Sequence, residues 1–267
     1  MRSCVLLKYG ELALKGRNRW RFEDTLVRNL TRTLADVPDL DVRRRNGVLV
    51  VTGGTQSQLL ERAQLVLGLA LIHPAVMVEP SFDAIERAAV ELLRPYAGQD
   101  RTFAIRPRRR WKGFPARSQE IAVRVGDVVR RELGLGVDLT TPDVELGIEV
   151  DKRETLLYTE KYPGQGGLPA GVNGHALTLL SGGFDSPVAG YRAMRRGLTT
   201  DYVHFSGMPF TSPASIYKAY ALASKLDRYR GGGTKLWVVS FGTAQRSLAT
   251  AGAGRLQVLA QRRLMGR

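Results

Sequence analysis

Short apolar runs of strand length alternate with longer stretches whose apolar positions recur at helical spacing, and their order predicts three blocks. In the first, Ser3–Lys8 reads as a strand, Arg19–Ala35 as a helix, and "DVRRRNGVLVVTG" as a hairpin turned at Asn46-Gly47. An Asn-Gly pair between strand-like runs favours a type I′ turn, which needs positive φ at both central residues. A helix over Gln56–Leu67 follows, completing a small α+β arrangement. The second block predicts strands at Leu71–Val78, Thr102–Arg106, Glu145–Val150 and Thr155–Glu160. Between them lie helices over Phe82–Leu93 and Ser118–Leu133, with Ser81 and Ser118 as N-caps and Glu120 in the first turn of the second. "YPGQGGLPAGVNG", Tyr162–Gly174, holds five Gly and two Pro, so it reads as a linker through which no helix or strand persists. The third block runs strand (Ala176–Leu180), helix (Ser186–Arg196), strand (Thr200–Phe205), helix (Pro213–Leu226), strand (Lys235–Ser240). That alternation predicts a parallel, doubly wound sheet.

Charge changes the picture. The 267 residues carry 40 Lys+Arg against 25 Asp+Glu, a formal +15, which favours an anionic partner, nucleic acid first and an anionic membrane second. Residues 101–131 hold ten of the cations, opposed by Glu120 and Asp127 alone, so this window carries more than half of the excess. Clustering of this kind argues against an indifferent scatter of arginine. In "RPRRRWKGFPARS" the cations interleave with Trp111 and Phe114, whose flat faces suit stacking on bases. Pro107, Gly113 and Pro115 predict a loop there, and Arg106, Arg108, Arg109, Arg110, Trp111, Lys112 and Arg117 are the candidate RNA contacts. The alternative is a solvated loop in which Trp111 plugs an interface.

One cysteine, Cys4, excludes an intrachain disulfide, cannot supply a paired-cysteine metal site, and lies in an apolar strand as a core residue rather than a nucleophile. His73 and His175 have no partners at metal spacing and are assigned no role; no metal ligand set is expected. With no leader at Met1 and no apolar run near the ~18 residues a bilayer requires, the sequence predicts a soluble, cytoplasmic protein without membrane partners.

"SGGFDS", Ser181–Ser186, follows the apolar run "HALTLL" and precedes a helix with Pro187 in its first turn. Glycines after a buried strand let the backbone turn tightly and aim amides at an anion, helped by the helix dipole. A Walker loop requires a Lys after the glycines, and none follows here. The three-glycine dinucleotide fingerprint is absent too.

The run instead resembles the SGGxDS loop of enzymes that split ATP into AMP and pyrophosphate, with Ser181, Gly182, Gly183, Asp185 and Ser186 as its members. "KYGELALKGRNRWRFE", "RTFAIRPRRRWKGFPARSQEIAVRVG" and "LPAGVNGHALTLLSGGFDSPVAGYRAMRRG" together resemble the tRNA 4-thiouridine synthetase family over essentially the whole chain. The resemblance implies a multidomain α/β and α+β fold: a ferredoxin-like domain (1–60), a THUMP domain (61–163), a linker (164–174) and a Rossmann-like PP-loop sheet (175–267). It implies a tRNA sulfurtransferase that adenylates O4 of a uridine near position eight with ATP, then replaces it with a persulfide sulfur. Leu179, Leu180, His204 and Phe205 would line adenine and ribose, Arg262 would meet a phosphate, and Asp185, the candidate catalytic residue, would help hold Mg2+. Implied partners are tRNA, a cysteine desulfurase, a sulfur carrier of thiamine thiazole synthesis, and a second copy of the chain. Family members continue past the equivalent of "QRRLMGR" with a segment like "GESLGQVASQT" and a later sulfur-carrying cysteine. The expectation is therefore a truncated chain whose incomplete sheet leaves an unpaired edge. Two other readings stay open: a tRNA-binding module without catalysis, and another ATP pyrophosphatase acting on RNA or a small molecule.

Overall fold

The computed structural model describes residues 1–14, 18–45, 47–252 and 254–267. In chain order the elements are β1 (Arg2–Lys8), α1 (Arg19–Thr33), β2 (Asp41–Arg45), β3 (Val48–Thr52), α2 (Gln56–Ala63), β4 (Leu71–Val78) and α3 (Phe82–Leu93). Next come β5 (Thr102–Arg109), α4 (Ser118–Leu133), β6 (Gly136–Val137), β7 (Val144–Val150), β8 (Thr155–Tyr158) and β9 (Tyr162–Pro163). The remainder is β10 (His175–Leu179), α5 (Asp185–Arg195), β11 (Thr199–Ser206), α6 (Ala214–Arg230), β12 (Leu236–Ser240), α7 (Gly242–Thr250) and α8 (Gln257–Met265). They pack as two compact units: Met1–Ala13, Leu34–Gln64 and Leu69–Gly164 form one, and Leu14–Thr33, Leu65–Gly68 and Gln165–Arg267 the other.

The first unit is built on one sheet in the order β2-β3-β1-β4-β8-β7-β5-β6, with β9 paired to the end of β4. Strands from both of the first two sequence blocks share it, because β1 is antiparallel to β4 along its whole length, Arg2 opposite Met77 through Lys8 opposite Leu71. Only β5 pairs in parallel, with β7 and β6. One sheet face carries Phe103 and Ile105 of β5 and Leu146 and Ile148 of β7, packed with Ile85, Leu93, Ile121, Val125 and Val129 of α3 and α4. Each such fully buried aliphatic or aromatic side chain contributes roughly 1.5–3 kcal/mol. The other face holds the smaller cluster of Cys4, Leu6, Val48, Val50, Ala75 and Leu156.

In the second unit β10, β11 and β12 form a three-stranded parallel sheet in that order. Leu180, Met194, Tyr202, Ala219, Ala223 and Leu226 make its core, and α1 joins the unit by Arg21 and Asn29 donating to the carbonyls of Val172 and Ala170. Leu177 and Leu179 on β10 and Trp237, Val238 and Val239 on β12 stay exposed. No described helix is long and apolar enough to cross a membrane.

Some local expectations change. The strand expected to stop at Arg106 runs on to Arg109 through Pro107, which lies opposite Ile148 of β7. Beyond Phe103 no described strand pairs with the far edge of β5, so a residue lacking an N–H is tolerated there. Tyr162 and Pro163, expected in an unstructured linker, form β9 against Leu71 and Ile72. Ser118 is not the cap of α4: Arg117 occupies that position, and its N–H donates to the Glu120 carboxylate at 2.6 Å. α6 continues past Leu226 to Arg230 and ends at Gly231, whose φ of +80° closes the helix. Gly47 has the positive φ of the expected hairpin turn, whereas Asn46 lies outside the described residues.

Candidate functional site

Residues 180–184 connect β10 to α5, at the C-terminal end of a parallel strand where a following helix N-terminus favours anions. Asp185 is the first helical residue, and Pro187 falls in the first turn, where a missing N–H has no consequence. The two serines clasp the loop. Ser186 Oγ accepts the Ser181 amide at 2.9 Å and lies 3.0 Å from Ser181 Oγ, which in turn accepts the Gly183 amide at 3.3 Å. No described group accepts from the amides of Gly182, Phe184, Asp185 or Ser186. Four donors thus stand unmatched beside an exposed carboxylate, and Phe184 is almost wholly solvent-exposed.

The glycines serve a different purpose from the expected tight turn. Neither Gly182 nor Gly183 has positive φ, and a Cβ on either would meet only ordinary van der Waals contacts. Their lack of side chains leaves the backbone bare to an approaching group. The nearest neighbour of Gly182 is a residue that sequence reading passed over: Lys218 of α6, whose Cδ would lie 3.5 Å from that Cβ. Its place in space follows from helix packing, and no local pattern marks it.

His204 holds the strand end from behind. Its Nδ1 lies 2.9 Å from the Leu180 carbonyl, which can only accept, so Nδ1 carries the proton. Nε2 lies 3.4 Å from Ser215 Oγ, at the start of α6. Buried and committed at both nitrogens, His204 positions the loop. Leu180 is buried in the core beneath it, Leu179 is exposed, and Phe205 packs edge-on against Phe241. Arg262 stands exposed on α8, and among the described residues no hydrogen bond or ion pair joins it to the loop. No described cluster of His, Cys, Asp or Glu could by itself hold a metal ion.

The cation-rich window lies in the first unit, shared among β5, the loop that follows it and α4. Period-two alternation places Arg106, Arg108 and Arg110 opposite the face that α3 and α4 cover. Much of the charge is engaged. Arg106 pairs with Glu145 at 2.9 Å and donates to the Leu139 carbonyl, while Arg109 donates to that of Ala116. Arg110 is nearly buried against Glu149 at 2.5 Å, and Glu149 also takes Lys8 at 2.6 Å. Burial alone would push the Glu149 carboxyl up, but hydrogen bonds from Arg110 and Lys8 outweigh it and hold the group below the usual range. Phe114 is 3% exposed, its ring tilted against that of Phe82 at 5.2 Å, so it offers no face to a base. Trp111 is half-buried on the same core, its indole lying over Gly113, where a Cβ would come within 2.5 Å of the ring. Arg108, Lys112 and Arg117 remain exposed, and Arg108 and Lys112 have no ion-pair partner among the described residues.

Cys4 is 1% exposed, and burial pushes its thiol up to about 12, so it is unreactive. His73 is buried with its ring 4.2 Å from that of Tyr158, and burial lowers it to about 4. The exposed His175 meets Asp201, which also takes Arg230 and the Lys235 amide.

Comparison with known proteins covers the whole chain. Three family models match in order: ThiI ferredoxin-like domain over residues 4–72, THUMP domain over 79–160, and Thiamine biosynthesis protein (ThiI) over 171–267. A "Probable tRNA sulfurtransferase" of Nocardia farcinica is 52% identical over 98% of this chain, which spans 65% of that protein. One from Caldanaerobacter subterraneus subsp. tengcongensis is 38% identical over 99% of the chain, which spans 69% of it. Among solved structures, a 4-thiouridine synthetase–RNA complex with bound ATP superposes on the full chain with a TM-score of 0.90 at 28% identity, the chain covering 69% of it. A protein of Pyrococcus horikoshii Ot3 matches 94% of the chain at TM-score 0.80 and 29% identity, the chain covering 84% of it.

Proposed function

The chain belongs to the tRNA sulfurtransferase family, and on that premise we propose that it uses ATP to activate a tRNA uridine for exchange of O4 by sulfur, giving 4-thiouridine. The observation that carries this reading is the serine-clasped loop with unmatched amides at Gly182, Phe184, Asp185 and Ser186. It suits the tail of a nucleoside triphosphate. Uracil O4 attacks the α-phosphorus, pyrophosphate departs, and the preset amides stabilise the charge that builds on it. Asp185 at the helix start, together with phosphate oxygens, would hold Mg2+ in the manner usual for that ion. A persulfide sulfur, supplied by a cysteine desulfurase, then attacks C4 and AMP leaves with the oxygen. A second thiol attacks the donor cysteine's sulfur, breaking the S–S bond, so that 4-thiouridine is released and a disulfide forms between the two thiols. Likeness to a 4-thiouridine synthetase that binds RNA and ATP supports the two substrates. The family description as a thiamine biosynthesis protein supports a second use of the same sulfur in thiazole formation.

On this reading residues 1–60 and 61–163 serve the RNA and 175–267 the nucleotide, with Arg108, Lys112 and Arg117 meeting phosphates. Arg110 drops out of the contact set, since it is tied to Glu149, and Phe114, a core residue, gives no stacking face beside it. The deciding measurement is pyrophosphate release from ATP, with and without unmodified tRNA, for the parent chain and Asp185→Ala. Release that falls at least tenfold in the variant supports the assignment; equal release from both proteins places the chemistry elsewhere.

A further inference from the structure

The loop at 181–186 lacks the lysine that a Walker loop carries in its own sequence, yet a lysine stands beside it. α6 is pinned at its first turn by Ser215, whose hydroxyl meets His204, the residue that grips the loop's entry at Leu180. Lys218 lies three residues on, so it shares the helix face of Ser215. Ala219 and Ala223, fully or nearly buried, fix that face against the core of the same unit. The Lys218 stem consequently runs along Gly182, with Cβ and Cδ 3.7 and 3.5 Å from where a residue-182 Cβ would stand. Its ammonium is only two bonds beyond Cδ. Lys218 is exposed, and no described carboxylate pairs with it.

We propose that Lys218 supplies, from a separate helix, the cation for the polyphosphate tail of a nucleotide seated on the Ser181–Ser186 loop. This rests on the nucleotide reading above and adds a residue to it. The amides and helix dipole present partial charges only, whereas an ammonium makes a charge-assisted hydrogen bond to phosphate. Lysine, as a flexible point charge, can also follow pyrophosphate as it departs. At Gly182 a Cβ would touch the lysine stem at ordinary van der Waals distance, so the stem and the loop backbone lie side by side.

Titration calorimetry of the full chain with ATP, inorganic pyrophosphate and AMP tests this, comparing the parent with Lys218→Met, Lys218→Arg and Lys225→Met. Lys225 is exposed on the same helix and controls for net charge. The expected result for Lys218→Met is roughly tenfold weaker binding of ATP and of pyrophosphate, equivalent to ~1.4 kcal/mol, with AMP unchanged. Lys218→Arg retains binding to within about threefold, since the charge remains, and Lys225→Met matches the parent. Parent-like affinity of Lys218→Met for ATP and pyrophosphate overturns the proposal while leaving the nucleotide reading intact. Equal weakening by Lys218→Met and Lys225→Met also overturns it, leaving a general field effect. A parent chain that binds none of the three ligands defeats the nucleotide reading itself.

Discussion

Over the first unit's sheet, Lys8 and Arg110 close on Glu149, Arg43 and Arg45 on Glu154, and Arg106 on Glu145. Around residues 181–186 of the second unit, four amides and the ammonium of Lys218 have no described partner. Both regions are rich in donors, but only the second leaves most of them open. A count of 40 Lys+Arg in the chain therefore overstates how many cations are open to RNA. The difference separates cations that shape the fold from donors held ready for something else.

The sharpest way to break the comparison is to remove a carboxylate. Glu149→Ala strands Lys8 and Arg110 in a nearly dry site, and loss of one partner of such a pair costs about 3–5 kcal/mol. Urea unfolding read at Trp111 should show it, and a change below about 1 kcal/mol would mean that these cations are as free as those near the loop. Acid supplies a second test. His73 has a folded value of about 4 against an ordinary 6.5, so the unfolded chain takes up its proton first. Stability is therefore complete above pH 6.5 and falls as pH drops toward 4, at up to about 1.4 kcal/mol per unit. Glu149, held below the usual glutamate value, adds a further loss on protonation at still lower pH. His73→Phe should flatten the limb between 6.5 and 4; an unchanged limb would assign it to other groups.

Next in size is Gly113→Ala, which forces a methyl into the Trp111 indole and should cost about 1–3 kcal/mol, seen as an earlier thermal transition and a shifted Trp111 emission. Smallest for stability, within about 0.5 kcal/mol, is the double change Arg108→Ala with Lys112→Ala. It should nevertheless weaken tRNA binding and flatten its logarithmic salt dependence by roughly 0.7–0.9 per lost phosphate contact. A salt slope equal to the parent's would show that the exposed pair faces plain solvent.

Much of the fold was legible because helices announce themselves locally. Phe82–Leu93 and Ser118–Leu133 were readable to the residue from apolar spacing and flanking polar residues. What failed were features set by partners distant in sequence. Pro107 looked like a loop residue, but β7 pairs with it on one edge, and no described strand pairs with it on the other. Phe114 looked like a stacking platform, but Phe82 and Ile121 claim it for the core. At the loop, the sequence motif marks Ser181 and Ser186 without saying that they bind each other. Lys218 belongs to no motif at all and is found only where α6 crosses Gly182.

The mutual grip of Ser181 and Ser186 bears on kinetics as well as on shape. A segment fastened by its own side chains has little freedom left to surrender when an anion docks, so less of the contact energy is lost to ordering. Capture should then be governed by encounter rather than by slow rearrangement, and Ser186→Ala should lower the association rate for pyrophosphate more than removal of any outlying cation does.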